Sequence, residues 1–176
     1  IRAVMWEGAD KLEDSIEVGR VVYCVGRVES FRGEPQVVLE SIQRTSDESV
    51  DAMVFLPSSQ QDRQQMITQL KTLIHSITQP QLATLLKGFL LEDEKLFERF
   101  TLAPAAKSMH QAYIGGLLEH TLNVVALCES AAKIYPVVDR DLLVTGAILH
   151  DVGKVAEYAW STVIDLTDAG KLLGHI

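Results

Sequence analysis

The sequence predicts an α+β chain, with strands in its first third and helices after them. Three observations carry this. Apolar residues alternate with a period of two up to about Pro57, they recur with a period near 3.6 beyond it, and Pro80, Pro104 and Pro136 interrupt the later apolar stretches. With 176 residues, 47% of them apolar, the chain has material for one large domain or two small ones.

In the first part, IRAVMWE, VVYCVGRVESF and QVVLESIQR read as strands, the last two joined as a hairpin around a Gly-Pro turn in RGEP. GADKLEDSIEVG, between the first strand and the hairpin, is polar and has room for one or two helical turns. Strand, short helix, strand, strand is the order of the second half of a five-stranded OB barrel. Residues 1–57 are therefore expected to form a partial OB-fold β-barrel, with Ile1 falling partway into it. Such a barrel binds nucleic acid through stacking aromatics and a few basic residues on one face, and Arg27, Phe31 and Arg32 near the hairpin are the available set. Residues 1–57 hold six basic against eleven acidic side chains, a poor balance for a phosphate-driven binder, so a protein-docking barrel is an equal reading.

In the second part, SSQQDRQQMITQLKTLIHSIT places Met66, Leu70, Leu73 and Ile77 on one helical stripe, with Ser58 or Ser59 as N-cap and His75 as a surface or packing residue. Pro80 interrupts before QLATLLKGFL and DEKLFERF, and the acidic cluster Glu92, Asp93 and Glu94 is expected to cap a helix. The polar residues from Pro57 to Asp62 mark the domain boundary, and residues 58–100 read as linking helices. TLAPAAKSMHQAYIGG connects to LLEHTLNVVALCESAAKIY, a long helix stopped by Pro136. DRDLLVTGAILHD is the next helix, with Asp139 or Asp141 near its start, and Thr167 caps another in TDAGKLLGHI. Residues 157–164 carry no decisive pattern.

A net charge of −8 argues against a broad surface for duplex DNA, and any nucleic-acid site must be small. With neither a membrane-length apolar run nor an export signal in view, the expectation is a cytoplasmic protein without a membrane partner. Cys24 and Cys128 lie within apolar patterns and are expected to be packed, reduced thiols. The sequence leaves a homo-oligomer open.

Four of the five histidines, His110, His120, His150 and His175, fall in the C-terminal half. His120 shares a helical stripe with Leu117, Val124, Leu127 and Ala131, so its imidazole is expected to point inward. The run GAILHDVGK closes with His150, Asp151, Gly153 and Lys154. A carboxylate at a helix C-terminus in apolar surroundings is doubly disfavoured unless a cation sits against it. Lys154, a protonated histidine or a metal ion could serve. Lys154 alone leaves two histidines without a role, whereas a metal accounts for His120, His150 and Asp151 together and frees Lys154 for an anionic substrate. Gly153 would turn the chain to bring Lys154 back. Imidazole with carboxylate suits manganese, iron, zinc or nickel.

EHT around His120, the doublet His150-Asp151 and the following Gly153-Lys154 resemble the HD superfamily of metal-dependent phosphohydrolases. PAAKSMHQAYIGGLLEHTLNVV, GAILHDVGKVAEY and TDAGKLLGHI, in that order behind an OB-like IRAVMWEGAD, resemble the YhaM-type 3′-to-5′ exoribonucleases, which join an OB-fold to an HD domain. The resemblance implies that residues 101–176 are an all-α HD-type domain, C-terminally incomplete because the family's later histidine pair and final metal-binding aspartate fall past Ile176. It implies a phosphodiesterase that shortens single-stranded RNA, or DNA, from the 3′ end with a metal-activated water. By the same resemblance His120, His150 and Asp151 bind one divalent ion, manganese in this group, with iron, nickel, zinc or magnesium as alternatives. Asp151 would bridge to a second ion whose site includes His175. Asp151 and Lys154 would be catalytic, Lys154 holding a phosphate oxygen, and His110 would touch substrate. One departure stands out: where the family shows two adjacent histidines, His110 is followed by Gln111. A phosphohydrolase of nucleotides or cyclic nucleotides, or a non-catalytic binding or regulatory module, could be built on the same core.

Overall fold

A computed structural model describes residues 2–9, 16, 19–45 and 52–175. The chain divides into two compact units, Ile1–Phe55 and Leu56–Ile176. Strands make the first and helices dominate the second, which gives an α+β chain.

The first unit holds three strands, β1 (Arg2–Val4), β2 (Val22–Phe31) and β3 (Glu34–Arg44), in the order β1-β3-β2. β3 runs antiparallel to β2 and parallel to β1, an open mixed sheet of the kind a partial OB barrel leaves. Arg32 and Gly33 make the hairpin turn with φ of 56° and 86°, the two-residue form whose twist matches that of the strands. The turn thus precedes the expected Gly-Pro step, and Pro35 lies inside β3 opposite Ser30. Register shifts at Gly26, where a Cβ would lie 2.4 Å from the Val38 carbonyl oxygen, so the bulge requires glycine. The short helix expected in GADKLEDSIEVG falls largely outside the described residues. Alternation is only partly realised: β3 buries Gln36 and Val38, whereas β2 is exposed on both faces beyond Val22. Cys24 is accordingly an exposed free thiol rather than a packed one, because no second layer covers this strand among the described residues.

The second unit contains α1 (Arg63–His75), α2 (Pro80–Leu86) running into a π-helical turn at Lys87–Leu91, α3 (Glu94–Leu102), α4 (Gly116–Ile134), α5 (Arg140–Leu149) and α6 (Lys154–Glu157). A hairpin of β4 (Tyr158–Trp160) and β5 (Ile164–Leu166), then α7 (Asp168–Leu173), complete it. One core draws Met66, Leu70 and Ile74 from α1, Leu86 and Leu90 from the next segment, Phe100 from α3, Leu118 and Val125 from α4, and Val144 and Ile148 from α5. Helices of the 58–100 segment therefore share their core with α4 and α5.

Local chemistry sets the helix ends. Asp62 caps α1 by accepting from the Gln65 N–H at 2.7 Å, in place of the expected Ser58 or Ser59. Ser59 instead donates to Glu119 Oε2 at 2.6 Å. Pro80 opens α2 in the first turn, where its missing N–H costs nothing. Asp93, Asp139 and Thr167 cap α3, α5 and α7. Among the described residues no helix is long and apolar enough to cross a membrane.

The face of α4 differs from expectation. Leu117, Leu118, Thr121, Leu122 and Val125 are buried, while Leu127 is 71% exposed. His120 thus stands on the flank of the buried stripe rather than on it. The start of α4 is apolar on nearly every side, so its packing partners, not periodicity, select the face.

Candidate metal centre

Two helix segments bring the site together. His120 projects from the second turn of α4, and His150 and Asp151 follow the last residue of α5, which packs against α4. His120 Nε2 and His150 Nε2 lie 3.3 Å apart, and Asp151 Oδ2 is 3.3 Å from the first and 3.2 Å from the second. The triangle is nearly equilateral. Atoms bound to one divalent ion at about 2.0–2.2 Å stand about 3.0–3.5 Å apart. These three donors are also the group among the described residues that could hold a metal ion together.

The hydrogen bonds behind the triangle decide its chemistry. His150 Nδ1 lies 2.8 Å from the Ala147 carbonyl oxygen, and His120 Nδ1 lies 2.9 Å from Gln111 Oε1. Each Nδ1–H donates to an acceptor, so in the neutral imidazole each Nε2 turns a lone pair into the triangle, where Asp151 adds another. Three lone pairs at this distance repel unless a proton or a metal cation stands among them. The donor set fits a divalent ion.

The electrostatics favour the ligating forms. Burial lowers the His120 pKa, and Lys154, His150 and His110 add to that effect against the pull of Asp151. For Asp151, burial works upward, but the hydrogen bond and charge of Lys154, with His150 and His120, outweigh it and leave the carboxyl lowered. A neutral imidazole and an ionised carboxylate are the forms that bind metal. Lys154 Nζ sits 2.8 Å from Asp151 Oδ2, so lysine and the metal position address the same carboxylate oxygen. Burial and the charges of Glu157 and Asp151 raise the Tyr158 pKa, keeping its phenol protonated.

His175 approaches from the far end of the chain. Its Nε2 lies 3.5 Å from Asp151 Oδ1, the oxygen that the triangle does not use, and its Nδ1 lies 2.7 Å from Glu157 Oε2. That second contact is close but not aligned as a hydrogen bond, and both atoms are buried. Gly153 has φ −61° and ψ −20°, ordinary helical values, so the expected turning role is not its use. A Cβ there would lie 2.0 Å from the His175 carbonyl oxygen, and only glycine lets residue 175 approach so closely. Gly170 makes the same allowance beside the Glu157 carbonyl.

His110 is exposed, its ring centroid 6.3 Å from that of His120. Sequence reasoning gave no role to Gln111 or Glu157, although both are polar residues within the quoted motif blocks. In the first unit, the Arg27 guanidinium is paired with Glu29 at 2.8 Å. The guanidinium carbons of Arg32 and Arg2 lie 5.2 and 5.7 Å from the centroid of the half-exposed Phe31 ring. Arg2 was not anticipated there; its register opposite Gln36 brings it to the hairpin end of β3.

Comparison with known proteins agrees with this geometry. Residues 117–176 match the family described as HD domain. Over its whole length the chain is 29% identical to the 3′-5′ exoribonuclease YhaM of Oceanobacillus iheyensis, covering 55% of that protein. It is 30% identical to YhaM of Listeria monocytogenes, covering 56%, and 31% identical to that of Bacillus subtilis, covering 55%. The chain thus spans about half the length of the curated relatives it matches. No solved structure matches it. Residues 117–176 are thus similar to the HD domain family, and the whole chain is similar to the corresponding half of the YhaM exoribonucleases.

Proposed function

We propose that the chain is a divalent-metal-dependent phosphodiesterase that shortens single-stranded RNA, and single-stranded DNA as a second substrate, from the 3′ end. The observation that carries the reading is the triangle of His120 Nε2, His150 Nε2 and Asp151 Oδ2, three acceptor atoms at 3.2–3.3 Å. The direction of cleavage and the RNA substrate follow from the similarity to the 3′-5′ exoribonucleases YhaM.

When bound, a divalent ion makes water nucleophilic near neutral pH and offsets charge on the phosphoryl oxygens. The chain's own residues supply the rest. His120 and His150 are pre-oriented through Nδ1, burial favours the neutral form of His120, and Asp151 stays ionised. Lys154, its ammonium 2.8 Å from Asp151, stands ready to hold a phosphate oxygen and its charge. Manganese is the ion we assign. Asp151 presents Oδ2 to the triangle and Oδ1 to His175, an arrangement that supports a second ion with His175 among its ligands. His110, exposed beside His120, contacts substrate.

We read residues 1–57 as the partial OB domain that guides the strand, 58–100 as the linking helices and 101–176 as the HD-type domain. In the OB part Phe31 stacks on a base with Arg32 and Arg27 beside it, and cytoplasmic RNA is the substrate pool.

The test is digestion of a 5′-labelled single-stranded oligoribonucleotide with manganese. A ladder shortening stepwise from the 3′ end, absent in Asp151→Ala, is expected. Hydrolysis confined to mononucleotides or cyclic nucleotides would replace this reading with a nucleotide phosphohydrolase, and tight binding without cleavage would replace it with a binding module.

A further inference from the structure

We propose that Gln111 is a positioning residue of the metal centre: its side-chain carbonyl selects the Nδ1–H tautomer of His120 and so directs the Nε2 lone pair at His150 and Asp151. The inference rests on the metal-centre reading above and adds to it the group that sets one ligand's orientation.

Two independent features point to it. The first is the hydrogen bond from His120 Nδ1 to Gln111 Oε1 at 2.9 Å. With no acceptor at Nδ1, a neutral imidazole is free to carry its proton on Nε2, and the lone pair then turns away from the triangle. For His150 the same service comes from a backbone carbonyl, that of Ala147 at 2.8 Å. For His120 it depends on a side chain and is open to substitution.

The second feature is the backbone that presents this side chain. Among the described residues only Arg32, Met109 and Gln111 are non-glycine residues with positive φ, and two of the three lie in this loop, at 98° and 60°. Arg32 belongs to a hairpin turn, and Gln111 to a turn in the loop before α4. A glutamine in the left-handed region costs energy that glycine or asparagine would avoid. The surroundings hold it there. Ala105 N–H donates to the Gln111 carbonyl oxygen at 3.1 Å, and a Cβ on Gly116 would lie 2.0 Å from that oxygen. The loop is thereby pinned under the first turn of α4, with the Gln111 side chain facing the imidazole one turn on. Asparagine would suit the backbone better but is one carbon shorter.

The experiment uses the metal-free chain and long-range 1H–15N correlation spectra at a pH where His120 is neutral, followed by calorimetric titration with Mn2+. Wild type should show His120 as the Nδ1–H tautomer. In Gln111→Ala the population should move to Nε2–H and Mn2+ affinity should fall roughly 10- to 100-fold, the usual cost of losing such a partner. Gln111→Glu keeps an acceptor and should retain both the tautomer and the affinity. Gln111→Gly accepts the positive φ, so it should keep the loop and the unfolding temperature while losing affinity. The proposal is overturned if the tautomer and affinity of Gln111→Ala match wild type, or if Gln111→Glu is as weak as Gln111→Ala. If wild type takes up no Mn2+, the metal-centre reading fails, yet the tautomer spectra still decide the role of Gln111.

Discussion

α5 has a buried aspartate at each end, and the surroundings of the two are opposite in kind. At the N-terminal end Asp141 Oδ2 accepts from the Thr78 N–H at 2.7 Å, the Thr78 hydroxyl at 2.8 Å and the Gln79 N–H at 2.9 Å, while Oδ1 accepts from Arg140 at 3.0 Å. Arg140 is itself held by Glu129. At the C-terminal end Asp151 Oδ2 meets one donor, Lys154, and the Nε2 atoms of His120 and His150, whose Nδ1 atoms carry the hydrogen bonds to other acceptors. The first carboxylate is satisfied and ties the turn before α2 to α5. The second is surrounded by fellow acceptors, and a cation completes it. Burial alone therefore does not mark a functional carboxylate; the proton inventory of its neighbours does.

Substitution at each end separates the two roles. Asp151→Ala should abolish divalent-ion binding by calorimetry, a loss larger than the ~10–100-fold that a supporting residue costs, and should shift the unfolding midpoint less than Asp141→Ala does. Asp141→Ala should lower stability by about 2–3 kcal/mol in urea unfolding, since it strips four hydrogen bonds from partly buried partners, while leaving ion affinity at the wild-type value. Equal loss of ion affinity in both variants would erase the distinction.

Lys154→Gln sharpens the account of the C-terminal end. It should reduce turnover about 100-fold, as loss of one oriented donor does, with ion affinity unchanged or tighter because a competitor for Asp151 Oδ2 is gone. Activity assays beside calorimetry would check both halves.

Acid unfolding tests the N-terminal end. Burial pushes the Asp141 carboxyl up, but the bonds from Thr78, Gln79 and Arg140 outweigh it and hold it at about 2. A lowered folded value means that the stabilisation is complete above the unfolded value of about 3.9 and is lost as pH falls towards about 2. Stability measured across that window should fall in wild type and fall less in Asp141→Asn. Smallest of all, Gly153→Ala should cost about 1–2 kcal/mol by displacing the His175 carbonyl oxygen, which would otherwise lie 2.0 Å from the added Cβ. An unchanged thermal midpoint would argue against that close packing.

Much of this was legible in the residues. Thr167 was recognisable as a cap, Asp93 as part of a capping acidic cluster and Asp139 as one of two aspartates near a helix start, because each precedes a helical apolar period. His120, His150 and Asp151 were recognisable as a set because a carboxylate that closes an apolar helix beside an imidazole needs a cation, and a lone lysine leaves both histidines idle. The hairpin of Tyr158–Trp160 and Ile164–Leu166 was not legible, since strands of three residues are too short to show a period. Ser59 was misread as a cap because a serine before a helix has the same signature whether it bonds Gln65 or Glu119. The uses of Gly153 and Gly116 were hidden by a separate cause: both depend on chain brought near by the fold, and a glycine in sequence does not reveal what approaches it.

The central claim is that His120 Nε2, His150 Nε2 and Asp151 Oδ2 share one divalent ion. The most direct measurement is anomalous diffraction from crystals of the chain soaked in Mn2+. One anomalous peak is expected inside the triangle, about 2.0–2.3 Å from all three atoms, with Lys154 drawn away from Oδ2. A triangle without a peak at saturating Mn2+, its Asp151 still bonded to Lys154, would contradict it.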